Sequence, residues 1–98
     1  MSAYWIAHVN VLDPEQYKGY TELAPEALKQ YGAVFLARGG EAQVLEGADY
    51  KRHVVIRFAD MATALACYHS PEYQAAKAKR ARDGVSEAHI SIVEGVPE

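Results

Sequence analysis

The groups able to do chemistry near neutral pH are few in this 98-residue chain: four histidines, one cysteine and seven tyrosines among ten basic and thirteen acidic residues. His8, His53, His69 and His89 form no i, i+4 or His-Glu-x-x-His pair, so no helical metal site is written locally. Folding could bring His8, His53 and His89 onto neighbouring strands of one sheet, but surface, interface or satisfied core positions account for them as well. We therefore expect no metal and no cofactor. A histidine on a half-buried strand face is a natural proton carrier near pH 7, and His8 is the weak catalytic candidate on that ground.

Arg38, beside Gly39 and Gly40, could hold a carboxylate bidentately; pairing with Glu41 or Glu46 would use it up instead. The basic run Lys77, Lys79, Arg80, Arg82 sits at the end of a helical pattern, where cations favour the helix dipole and face water. Cys67 has no base facing it, because His69, two residues on, lies elsewhere on the helix, so a packed thiol is expected. Gly39-Gly40 lacks the following helix that a phosphate loop needs.

Tyr68-His69-Ser70-Pro71-Glu72-Tyr73-Gln74 collects hydroxyls, an imidazole and free amides at one corner. Pro71 should drive Ser70 out of the helical region, ending one helix and letting Ser70 cap the next. The corner is a candidate binding edge, with Tyr68, Ser70 and Tyr73 as its reactive groups.

The positioning elements follow from periodicity. Residues 4–12 alternate as a strand, with Trp5, Ala7, Val9 and Val11 on one side. Asp13-Pro14-Glu15-Gln16 opens a helix as a capping box with proline at its first position. Tyr17, Tyr20, Ala24, Ala27, Leu28 and Tyr31 form its buried stripe, Pro25 should kink or divide it near Ala24, and Gly32 stops it. Ala33–Arg38 reads as a strand with a bulge at Gly39-Gly40, resuming over Ala42–Glu46 before a turn at Gly47–Tyr50. His53–Ala59 is the next strand, with Val54, Ile56 and Phe58 on one side. Asp60 caps a helix running to the Ser70 corner, a second helical run ends at Gly84, and His89–Glu94 is the last strand. The tail 95–98 is expected to be loosely held.

The order βαββαβ predicts an α+β, ferredoxin-like antiparallel sheet with both helices on one face, forming a single domain over residues 1–98. Several of Val55, Val93, Ile6 or Trp5 would then lie on the uncovered face, a larger apolar patch than a monomer tolerates. A homodimer packed sheet to sheet is expected. A net charge of −3 argues against nucleic acid as a partner. No apolar run approaches membrane-spanning length and no secretory signal is read, so no membrane partner and a cytoplasmic location are expected. The single cysteine excludes an intrachain disulfide.

Tyr4-Trp5-Ile6-Ala7, Tyr31-Gly32, Phe35-Leu36, Arg38-Gly39-Gly40, Leu45-Glu46-Gly47, Val54-Val55-Ile56, Ser70-Pro71-Glu72-Tyr73-Gln74 and Ile92-Val93-Glu94-Gly95 occur in this order along almost the whole chain. Together they resemble the domain of unknown function family numbered 1330. The resemblance implies the dimeric α+β barrel superfamily, whose members include cofactor-free oxygenases, small isomerases, haem-handling enzymes and ligand-binding domains. It brings no reaction and no catalytic residue. Arg57, Cys67 and His69 depart from the family's usual acidic, tryptophan and small polar residues.

Two functions follow. One is a homodimeric small-molecule-binding protein, oxygenase- or isomerase-like, with its pocket between each sheet and its own helices. Tyr20, Tyr68 and Tyr73 would wall that pocket, Arg38 would contact a small acidic or aromatic ligand, and His8 would relay protons. The alternative is a non-catalytic ligand-binding or interaction module whose tyrosines are packing residues; haem or metal handling is the weakest reading.

Overall fold

Alternation along the first strand decides the layering. Ala3, Trp5, Ala7 and Val9 are buried beneath helices, while Tyr4, Ile6 and His8 point to the opposite side. The computed structural model describes residues 1–97. Its elements run β1 (Ala3–Val11), α1 (Pro14–Lys29), β2 (Val34–Arg38), β3 (Arg52–Phe58), α2 (Met61–His69), α3 (Pro71–Arg80) and β4 (Ser86–Glu94). The sheet order is β2-β3-β1-β4, with every neighbouring pair antiparallel. This is the ferredoxin-like arrangement, with the second helix split in two. No described helix is long and apolar enough to cross a membrane.

Each helix starts where a side chain can satisfy its free amides. Asp13 accepts from Gln16 N at 3.2 Å and Asp60 from Thr63 N at 2.7 Å. At the corner, Ser70 is extended (φ −66°, ψ 149°), as proline at the next position requires. Its hydroxyl donates to Cys67 O at 2.7 Å and accepts from Tyr73 N at 3.1 Å, closing α2 and opening α3. Gln74 Nε2 donates to Tyr68 O at 2.6 Å, binding the two helices together.

The core centres on Trp5. Its ring stacks on Phe58 at 5.9 Å and meets the Tyr73 edge at 4.9 Å, pairs worth about 0.5–1.5 kcal/mol each beyond their burial. Trp5 therefore belongs to the helix-covered face. Ile6, Val55 and Val93 lie on the other face, where Val93 is 48% exposed.

Three local expectations change. Pro25 does not divide α1, because buried Ala24, Ala27 and Leu28 hold both halves in the core; its cost is confined to the Thr21 carbonyl, which loses its intrahelical donor. Ala42–Glu46 forms no strand: Arg38 already pairs with Val54 and β3 begins at Arg52, so no length of β3 is left opposite the segment, which stays exposed with Leu45 at 87%. The bulge falls between Phe35 and Ala37 rather than at Gly39-Gly40. Near the C-terminus, Gly95 N donates to Ser2 O at 2.7 Å, so the tail is tied at its start; Glu98 lies outside the described residues.

Candidate functional site

A cavity of about 340 Å³ opens between the sheet and α1, at the small end of the range for ligand pockets. Trp5, Val54 and Ile56 give it an apolar floor, and Leu28 and Phe35 its sides. Tyr17, Tyr20 and Thr21 come from α1, Arg38 from β2, Arg52 from β3 and Arg80 from α3. The described lining holds three arginines and no carboxylate or imidazole.

Each arginine arrives by a different device. Arg52 continues the inward alternation Val54, Ile56, Phe58 one step back along β3, and packs against Gly39 so closely that a Cβ there would collide with its guanidinium. Gly39 also has φ +68°, which favours glycine. Arg38 and Phe35 are three residues apart and would face opposite ways in a regular strand. The bulge at Leu36 absorbs one residue, so both face the cavity, and the Arg38 guanidinium lies 4.4 Å from the Phe35 ring centre. Arg38 itself is exposed, at the mouth. Arg80 follows Tyr73 and Ala76 at helical spacing, and all three are buried along α3.

Arg80 is only 7% exposed. Its Nη2 donates to the Tyr73 hydroxyl at 3.2 Å, and its guanidinium lies 5.1 Å from the Tyr20 ring centre. The Tyr20 and Tyr73 hydroxyls share a hydrogen bond of 2.8 Å. Among the described residues no arginine has a carboxylate partner, and the buried Nε atoms of Arg52 and Arg80 have no acceptor. Leaving buried cations without an anion is costly, because desolvation is not repaid by Coulomb attraction. Burial pushes the Tyr20 phenol far up, with Tyr73 alongside adding to it, and burial also raises Tyr17. Both remain neutral donors at physiological pH.

Of the residues singled out from sequence, Tyr20 and Arg38 line the cavity. Tyr73 is fully buried behind it and reaches it only through Tyr20 and Arg80. Tyr68 lies outside the lining, its ring 5.7 Å from Trp5 and covered by Lys77 Nζ at 5.3 Å. Ser70 is buried with its hydroxyl committed to the helix junction. His8 is on the other face of the sheet, separated from these groups by the strand itself. The solvated reading of the Lys77–Arg82 run fails for Arg80, because helical spacing from Tyr73 carries it inward. Arg52 and Arg80 were both missed, although alternation from Phe58 and the stripe from Tyr73 signal them. Cys67 is buried with its thiol pushed up to about 11 by burial, and is no nucleophile in this state.

The family model described as a domain of unknown function (DUF1330) matches residues 2–96. Solved structures with the same fold include a protein of unknown function from Rhodopseudomonas palustris, 12% identical with a TM-score of 0.76, over 99% of this chain and 84% of that one. A dimeric ferredoxin-like protein of unknown function from Jannaschia is 17% identical, with a TM-score of 0.62 over 93% of this chain and 98% of that one. A candidate antibiotic biosynthesis monooxygenase from Nitrosomonas europaea is 16% identical, with a TM-score of 0.62 over 99% of this chain and all of that one. No curated protein matches the chain.

Proposed function

The chain belongs to the DUF1330 family of domains of unknown function, and on that premise we propose that it binds a small carboxylate with an aromatic or other apolar body, one per subunit of a homodimer. The observation that carries this reading is the buried Arg80 and half-buried Arg52, each with a buried Nε lacking an acceptor, on the wall of an apolar cavity whose described lining holds no acid. A planar carboxylate would accept from these guanidinium groups, and its apolar body would lie against Trp5, Ile56 and Phe35. The dimer rests on the uncovered sheet face, where Ile6, Val55 and Val93 form an apolar centre, and on the dimeric description of fold neighbours.

The oxygenase- or isomerase-like reading draws on the Nitrosomonas europaea neighbour and on the Tyr20–Tyr73 hydroxyl pair, from which Tyr20 could donate a hydrogen bond to a bound oxyanion. With no carboxylate or imidazole in the described lining, the base for such a reaction would be the substrate's own anion. The non-catalytic module remains the alternative.

Thermal unfolding with phenylacetate, benzoate and salicylate, against phenylacetamide as the neutral match, tests the binding. The acids are expected to raise the melting temperature and the amide to leave it unchanged. Equal effects of acid and amide, or none from any acid, would overturn the assignment. Light scattering behind a sizing column should give twice the 10.8 kDa chain mass; a monomer would remove the dimer from the proposal.

A further inference from the structure

The face turned away from the cavity carries a second arrangement that the binding site does not use. His8 on β1 is opposite His53 on β3 and opposite His89 on β4, so three imidazoles form one row across three adjacent strands. His8 and His53 meet through Nδ1 of each ring at 2.8 Å. Tyr50 lies beside the row, its ring 5.2 Å from that of His89 and 6.4 Å from that of His8. The segment 42–50 turns over this row, so that Val44, Leu45 and the Glu46 carboxylate line a shared concavity with it.

Two neutral imidazoles can touch nitrogen to nitrogen only if one donates its N–H into the lone pair of the other. One proton is therefore shared between two basic nitrogens. A divalent ion can take that proton's place, since imidazole is the commonest protein ligand for late transition metals and binds them in its neutral form. The two nitrogens, 2.8 Å apart, come within reach of one ion once the proton between them has moved and the rings have turned.

We propose that His8 and His53 form a chelating pair for a divalent late first-row transition ion, nickel or copper in preference to zinc, with His89 of the same row as a further ligand. On binding, the donor ring's proton moves from Nδ1 to its own Nε2 through solvent, so both imidazoles stay neutral, and the two rings turn so that both lone pairs meet the ion. Among the described residues no three metal-binding side chains already converge on one point, so His89 joins by rotating away from Tyr50. The order of affinity follows the general rise towards copper for nitrogen sites. This proposal is independent of the carboxylate cavity, but the row shares the uncovered sheet face with Ile6 and Val55, so in the proposed homodimer it is turned toward the partner and the titration is read on the dimer.

The test is calorimetric titration of the tag-free full-length chain with nickel, copper and zinc salts. One nickel or copper ion per chain is expected, bound more tightly than zinc. His8→Gln and His53→Gln should each weaken nickel at least about tenfold, because a lost ligand is not replaced at the site. His89→Gln should weaken it less, and His69→Gln, at the end of α2, should leave it unchanged. Phenylacetate affinity should be the same in all four variants. Undiminished nickel binding by the His8→Gln/His53→Gln double variant, no binding by the parent chain at a large metal excess, or zinc preferred over nickel and copper would each overturn the proposal.

Discussion

Arg80→Met separates a ligand-binding arginine from a structural one, because the two roles predict opposite changes in stability. Methionine keeps the length and apolar volume of the side chain, and removes the charge. In the free protein Arg80 makes one hydrogen bond to Tyr73, lies over the Tyr20 ring and leaves its Nε without an acceptor. The hydrogen bond contributes about 1.5–3 kcal/mol and the ring contact about 0.5–2 kcal/mol. Against these stands the desolvation of a guanidinium only 7% exposed, an effective penalty of several kcal/mol that no carboxylate offsets. Tyr73 keeps its second partner, Tyr20, so the substitution orphans no hydroxyl. The balance predicts a free protein unchanged or stabilised by about 1–2 kcal/mol, an upward shift of roughly 4–8 °C per kcal/mol for a domain of this size. Carboxylate binding should fall by about 2–4 kcal/mol, roughly 30- to 700-fold, since one charged partner of a buried pair is gone. Urea unfolding at constant m-value reads the first quantity and calorimetric titration with phenylacetate the second. A loss of more than about 2 kcal/mol of stability with phenylacetate affinity intact would show that Arg80 is structural, and refute the reasoning.

Gly39→Ala should displace the Arg52 guanidinium and force an unfavourable backbone angle, destabilising the chain by about 1–2 kcal/mol and lowering phenylacetate affinity, whereas Gly40→Ala should do neither; denaturation and titration of both variants check the contrast. Cys67 should react slowly with a thiol reagent at pH 8 in the folded chain and rapidly in urea, because burial holds its pKa up at about 11 and keeps the thiolate scarce; a fast native reaction would contradict the burial. Asp60 has its pKa lowered from 3.8, first by its side-chain hydrogen bond to Thr63. The unfolded chain therefore binds the proton more readily, and the contribution of Asp60 is present above about pH 4 and lost as pH falls through the folded value. Asp60→Asn should lower the urea midpoint at pH 7 and lose that difference near pH 2, and a deficit of equal size at both pH values would exclude the carboxylate's charge as the cause.

The ends of the elements were legible because their causes are local. Asp13 with Gln16, Asp60 with Thr63 and Ser70 with Pro71 each settle a helix start within three residues of chain. Alternation from Trp5 to Val9 and from Val54 to Phe58 separates the two faces of the sheet in the same way. Where local signals misled, a partner elsewhere decided. Proline should break α1, but burial of Ala24, Ala27 and Leu28 in the core holds it together. Ala42–Glu46 has strand-like composition, but β3 begins at Arg52 and offers it no residues to pair with.

The candidate site was half legible. Tyr20 and Arg38 were visible as residues of suitable type beside suitable neighbours, and the histidine row was visible as a set of strand positions. What a linear reading could not supply was convergence. Arg38 faces the cavity only because a bulge at Leu36 shifts it by one residue, and pairing between β2 and β3 determines where that bulge falls. Arg52 and Arg80 are 28 positions apart on a strand and a helix, and they line one cavity only when the helices pack over the sheet. The sequence by itself determined which elements form and which face of each is apolar, because caps and periodicity act over a few residues. Tertiary structure alone decided that three cations surround an apolar cavity with no acid among them, because that juxtaposition is the sum of separate registers. The same packing placed His8 on the opposite face, opposite His53 and His89, away from the hydroxyls it was expected to serve.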